Sequence, residues 1–244
     1  MPVLVDVNTC FGTLPTRRVD WSPQRLCTLL DQTGFDLALT YSLRGVLYDF
    51  ISGNDETFAV CEANPRLIPV ATIDPRRHFG CLEEVERCDE MGFGVFRFFP
   101  DQQGWTVDSR PFLNICEAVA DCGAAVMLPA GPSGHQTLIG EKIAPYGFNI
   151  IIVGAGYGVH AETYAVTAAY DNVYAETHAF NTPGCIEGLV WVAGPDKPIF
   201  GSNSPDRCFG AALEMVRCAE LSDEDRTGIL GGNAVEVLGL EGRA

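Results

Sequence analysis

Lysine is almost missing from this chain: Lys142 and Lys197 are the only two, beside fourteen arginines. Basic charge as a whole is scarce. Sixteen Lys and Arg face 32 Asp and Glu, for a formal net charge of −16. That balance repels phosphate backbones and anionic lipid headgroups, and argues against nucleic acid or a membrane as partner. The arginine bias fits either a GC-rich genome or a salt-adapted surface. Long hydrophobic runs are also lacking, since the apolar stretches are strand-sized and fall short of a membrane span. The opening MPVLVDVN has no basic segment followed by an apolar one, so no secretion signal is expected. No C-x-x-C pair occurs among the ten cysteines, which argues against a structural zinc site. Without an export signal the thiols read as reduced and cytoplasmic, most of them acting as small hydrophobes.

What is present is a regular rhythm. With 244 residues, 47% hydrophobic and 20% charged, the chain suits one globular domain spanning 1–244. Near-continuous apolar runs at 3–7, 35–41, 67–73, 93–99, 124–129, 149–153, 172–177 and 198–202 read as strands buried on both faces. Helices are expected between them, near 46–62, 80–91, 111–122, 135–145, 160–170, 184–193 and 206–220. Ser22-Pro23 and Gly34 bracket a further helix, and Ser222 with Asp225 opens a short last one. Gly231-Gly232 is expected to break that helix before a final turn at 233–239. Strands alternating with helices predict an α/β fold: a compact parallel (β/α)8 barrel with a C-terminal helical extension. A doubly wound open sheet is the alternative, disfavoured because no glycine-rich phosphate loop follows the first strand. The run Gly154-Ala155-Gly156-Tyr157-Gly158 reads as a strand-to-helix turn.

Several phrases at the strand ends resemble the amidohydrolase-related family, the branch of metal-dependent hydrolases that includes small-acid decarboxylases and lactonases. They are LVDVNTCFG at 4–12, PRLIPVATIDP at 65–75, GFGVFRFFP at 92–100, AVMLPAG at 125–131, NIIIVGAGYG at 149–158, NVYAETHAF at 172–180, IFGSNSP at 199–205 and ILGGNAVEVLGL at 229–240. The resemblance implies metal ligands at the first, fifth, sixth and last strands. There this chain carries Asn8 and Cys10, Pro129, Gly154 and Asn203. Pro and Gly offer no ligand side chain, and Asn is a poor zinc donor. The expectation is therefore no divalent metal and no other cofactor at the usual place.

Strand alternation turns Asp6, Asn8, Cys10, Arg97, Phe99, Glu176, His178 and Asn203 toward one end of such a barrel. Arg97 either clamps a substrate carboxylate or pairs with Glu176 or Asp6, and both can hold at once. His178 stands where the family usually has a small residue. It reads as a general acid/base, or as a hydrogen-bonded filler of the space a metal would take. Cys10 with His178 would form a thiol–imidazole dyad, unless Cys10 is one more apolar thiol. Glu176 completes the candidate catalytic set. Asn8 and Asn203 are candidate hydrogen-bond donors to substrate, and Tyr157 and Trp105 candidate stacking residues. Asp101 and Asp206 read as helix caps, and His78, His135 and His160 as less promising.

Two functions follow. One is a metal-independent hydrolase or lyase acting on a small polar or carboxylate-bearing molecule. The other is an inactive amidohydrolase-like scaffold, binding or regulatory subunit. A metal site rebuilt from Cys10, Glu176 and His178 is a third, lesser alternative. A homo-oligomer or a partner subunit completing the site stays open.

Overall fold

The computed structural model describes residues 2–15 and 21–243. Nine strand segments follow in order among these residues: β1 (Val5–Phe11), β2 (Leu37–Ser42), β3 (Leu67–Pro69), β4 (Ala71–Thr72), β5 (Val95–Arg97), β6 (Ala125–Pro129), β7 (Ile150–Val153), β8 (Val173–Glu176) and β9 (Pro198–Ile199). All neighbours pair in parallel, in the orders β1-β2-β3 and β4-β5-β6-β7-β8-β9. The expected third strand is thus split. Val70 alone separates β3 from β4, and its amide still donates to Thr40 across from it, at 2.9 Å. At the far side, the Val7 amide donates to the Phe200 carbonyl at 3.1 Å and Cys10 to Ser204 at 3.0 Å.

Among the described residues twelve α-helices run between and after the strands: α1 (Pro23–Thr33), α2 (Leu43–Leu47), α3 (Phe50–Ala63), α4 (Cys81–Glu90), α5 (Pro100–Gln103), α6 (Arg110–Cys122), α7 (His135–Leu138), α8 (His160–Ala169), α9 (Cys185–Ala193), α10 (Phe209–Cys218), α11 (Asp223–Thr227) and α12 (Asn233–Leu238). The helix expected over 46–62 is two helices, because the extended Asp49 caps α3 by accepting from the Ser52 amide. Ser22 and Ser222 cap α1 and α11 as expected, and Gly34 ends α1 at φ 74°. Gly231-Gly232 does not break the last helix. The chain coils on through Gly228–Gly232 into α12, with Gly232 itself helical. Gly231 serves close approach instead: a Cβ there would lie 1.9 Å from the Val3 carbonyl oxygen.

The strands bury both faces, which is why they read as unbroken apolar runs. On β5 and just beyond, Phe96 and Phe98 pack among the helices, while Val95 and Phe99 join a second cluster with Met127, Ile151 and Ile199. Ala234 and Leu240, in and after α12, belong to that second cluster. The C-terminal extension packs where the strands begin, opposite the cavity described next: Asn149, just before β7, donates Nδ2 to the Val237 carbonyl at 2.8 Å. No helix among the described residues is long and apolar enough to cross a membrane. All ten cysteines are free thiols.

Candidate active site

A cavity of about 670 Å³ opens where β5, β6, β7 and β8 end. Its polar side is assembled from strands far apart in sequence. Arg97, the last residue of β5, shares the parity of Val95 and Phe99 and so points into it. Its guanidinium carbon lies 4.9 Å from the Tyr41 ring centroid and 5.2 Å from that of Phe99. Nη1 donates to Asn8 Oδ1. The ion pair with Glu176 or Asp6 that the sequence left open does not form: among the described residues no carboxylate lies within ion-pair distance of Arg97. Arg97 lines the cavity, and among the described residues its guanidinium makes no other hydrogen bond.

Asn8, buried on β1, links Arg97 to a second group. Its Nδ2 donates to Glu176 Oε2 at 3.3 Å and lies 3.5 Å from His178 Nδ1. Glu176 is fully buried at the end of β8. It accepts from His178 Nδ1 at 2.5 Å, from the His178 amide at 2.7 Å and from the Gly154 amide at 3.3 Å. Burial alone would raise this carboxyl, but the charge and hydrogen bonds of His178, with Arg97 beyond, hold it below the ordinary value. The His178 side chain keeps 11% exposure and lines the cavity. Gly154 gives the imidazole room. Its φ is 76°, and a Cβ there would sit 3.4 Å from His178 Cε1.

Beneath this pair Asp6 is fully buried and accepts from the Ser202 hydroxyl, the Ser202 amide at 2.9 Å and the Asn8 amide at 3.0 Å. Burial pushes its carboxyl up to about 7 against those three bonds, and the nearby Glu176 charge adds to the rise.

Other expectations fare differently. Cys10 lines the cavity, but burial pushes its thiol up to about 12 despite Arg97 nearby, and its side-chain partner is Tyr41. Among the described residues no hydrogen bond joins Cys10 to His178, whose Nδ1 is held by Glu176, so the thiol–imidazole dyad is not formed. Asn203 lines the cavity at φ 54°, a left-handed conformation that asparagine tolerates. Trp105 and Tyr157 do not line it. Trp105 packs at 4.8 Å on Phe112 and donates Nε1 to Gln103 at 2.9 Å, and Tyr157 is 77% exposed beside α8. Asp206 lines the cavity and does not cap α10, whose N-cap is Cys208. Asp101 sits in the first turn of α5, also on the cavity. Tyr41, Ser202 and Trp21 join the site without having been expected from the sequence. Tyr41 shares the parity of Leu37 and Leu39, a signal that was there to use. The Trp21 indole N–H is buried at the cavity with no partner among the described residues.

Comparison with known proteins accords with this architecture. The sequence profile of the amidohydrolase family matches residues 54–240, and the chain belongs to that family. A search of curated protein sequences finds no match. Among solved structures the chain is similar to 5-carboxyvanillate decarboxylase from Novosphingobium aromaticivorans, complexed with manganese and 4-hydroxy-3-methoxy-5-nitrobenzoic acid. The TM-score is 0.77 at 15% identity, covering 98% of this chain and 96% of that one. It is similar to 2,6-dihydroxybenzoate decarboxylase from Rhizobium, with TM-score 0.73, 16% identity and coverage of 99% and 100%. A probable 2-pyrone-4,6-dicarboxylic acid hydrolase from Acinetobacter baumannii with citric acid bound gives TM-score 0.73, 15% identity and coverage of 98% and 100%.

Proposed function

We propose that the chain is a metal-independent hydrolase or lyase acting on a small carboxylate-bearing substrate at the mouth of a closed eight-stranded barrel. The observation that carries this reading is Arg97: a guanidinium on the cavity wall, held by Asn8 and two aromatic rings, with donors free for a ligand carboxylate. Barrel closure is supported by the Val7–Phe200 and Cys10–Ser204 hydrogen bonds between the first strand and the segment around β9. The free thiols support a cytoplasmic setting.

In this reading Arg97 anchors the substrate carboxylate. His178 donates Nδ1–H to Glu176, which leaves the Nε2 lone pair toward the cavity. For hydrolysis, Nε2 takes a proton from water as the water oxygen bonds to the acyl carbon. The imidazolium, stabilised by Glu176, returns that proton to the leaving oxygen or nitrogen as its bond to carbon breaks. A lyase step uses the pair in the acid direction, delivering the proton to the carbon from which a group departs.

The donor set does not fit a divalent ion. The two Glu176 oxygens already accept four N–H groups, and the Asp6 oxygens accept two N–H groups and one hydroxyl. Cys10 is held as a thiol, and the Arg97 charge beside Asn8 opposes a cation. The proposed chemistry runs on these side chains alone.

The test uses protein purified without a metal-affinity column, titrated calorimetrically with 2,6-dihydroxybenzoate and citrate in EDTA. Binding that persists in chelator and weakens at least about tenfold in Arg97→Ala is expected. Elemental analysis should find less than about a tenth of an equivalent of zinc, manganese or iron. Near-stoichiometric metal, with binding lost on chelation, would overturn the reading. Binding without turnover of any lactone, ester or carboxylate would favour a binding subunit.

A further inference from the structure

We propose that His160 is a positioning residue for the His178–Glu176 pair, an inference that rests on the role given to that pair above. His160 opens α8 and is buried, with 7% exposure. It touches neither Arg97 nor the cavity. Its Nε2 lies 3.0 Å from the Ala155 carbonyl oxygen, in the turn that leaves β7. Its ring stacks on Phe180, in the turn that leaves β8, at 4.8 Å between centroids and 15° between planes. The Tyr164 ring is a second, more distant stacking neighbour, at 6.2 Å and 25°. One imidazole therefore ties the two turns together.

One of these turns carries His178, just past Glu176, and the other touches both members of the pair through Gly154. Ala155 follows Gly154, whose amide donates to Glu176 and whose α-carbon faces the His178 ring. Phe180 follows His178 by two residues, and its own amide bonds Thr177 at 3.0 Å. The clearance is small, because a Cβ at 154 would already be in contact with the imidazole. Sliding one turn against the other opens the Gly154–Glu176 bond or presses backbone onto His178. Packing alone does not call for histidine at 160, because phenylalanine would stack on Phe180 as well. What histidine adds is the donor to Ala155. Burial pushes its pKa below the ordinary value, with the backbone of Ala155 and Ala179 opposing. A neutral ring facing a carbonyl acceptor carries its proton on Nε2.

The experiment reads His178 directly. The chain has four histidines, so 15N-histidine labelling gives a spectrum simple enough to assign with single variants. Wild type should show a far-downfield Nδ1 proton from the short His178–Glu176 hydrogen bond. In His160→Phe, which keeps the stack and loses the donor, that signal should shift or vanish. Turnover should fall about tenfold or more, with affinity for 2,6-dihydroxybenzoate within about twofold of wild type. His160→Gln, which restores a donor, should recover most of both. An unchanged His178 signal in folded His160→Phe would overturn the proposal. Should His160→Phe fail to fold, Phe180→Leu loosens the same tie from the other turn, and an unchanged signal there would also overturn it. If no substrate is ever turned over but the His178 signal responds, the functional reading falls and the positioning role stands.

Discussion

Glu84 and Glu176 are both carboxylates buried to near-zero exposure, at 3% and 0%, yet their surroundings end in different places. Glu84 accepts from Asn54 Nδ2 at 2.7 Å and from Arg87 Nε and Nη2, each at 2.8 Å. Asn54 in turn brackets Thr72, accepting from its amide and donating to its carbonyl. Arg87 spends its other end on Asp55. This network closes on itself and clamps α3 and α4 to β4. The Glu176 network has as many bonds, but it ends in an imidazole edge and a guanidinium fork, both on a cavity. Burial of charge therefore does not mark a site. What marks one is hydrogen-bonding capacity left over where a ligand can reach it.

That contrast can be broken from either side. The largest effect is expected at the open network. His178→Ala should cut turnover by about 10²–10⁴-fold while carboxylate affinity, carried by Arg97, stays within a few fold. Steady-state kinetics beside calorimetry separates the two, and equal losses in both would mean that His178 only shapes the cavity.

Stability against pH comes next. The Asp6 carboxyl is raised from its ordinary 3.8 to about 7, so the folded chain holds that proton more tightly than the unfolded chain. Its contribution is full below pH 3.8 and is lost as pH climbs to about 7, a loss on the order of 4 kcal/mol. Asp6→Asn keeps an acceptor for the two amides and a donor for the Ser202 oxygen. It should flatten this decline, and urea unfolding at pH 5 and pH 8 measures it. Glu176, held below its ordinary 4.5, works in the opposite sense and loses its contribution only as pH falls through the acid range.

At the closed network, Asn54→Ala removes the bonds to Thr72 and Glu84. It should cost about 3 kcal/mol in unfolding free energy and leave ligand affinity unchanged. A change in affinity would couple the two networks and weaken the comparison. The smallest effect concerns thiols. Cys10 beside the open network and Cys88, which donates to Glu84 at 3.5 Å, are both buried with raised pKa. Iodoacetamide on the native protein should label the exposed Cys208 and Cys218 and spare both of these, as peptide mass mapping would show.

Much of the site was legible as parity. Arg97, Glu176 and His178 follow from counting along apolar strands, because a side chain two residues from an inward one also points inward. Their partners were not legible. Arg97 and Asn8 are 89 residues apart, Asn8 and Glu176 168, and Asp6 and Ser202 196. Trp105 and Tyr157 were misjudged for a related reason: a loop's place in the chain does not say whether its ring turns toward the mouth or back onto a helix. The split of β3 from β4 and the cap at Asp49 were likewise hidden inside runs whose apolar character continues across them.

By itself the sequence determined the α/β rhythm and carried the family resemblance that the profile match bears out. These are properties of composition and period, written in neighbouring residues. Only the tertiary structure decided that Asn8 would join Arg97 to Glu176, that Gly154 would make room for His178, and that His160 would brace the two turns beside it. Each of those is a contact between segments brought together by folding, and its chemistry depends on distances of a few ångströms that no local pattern encodes.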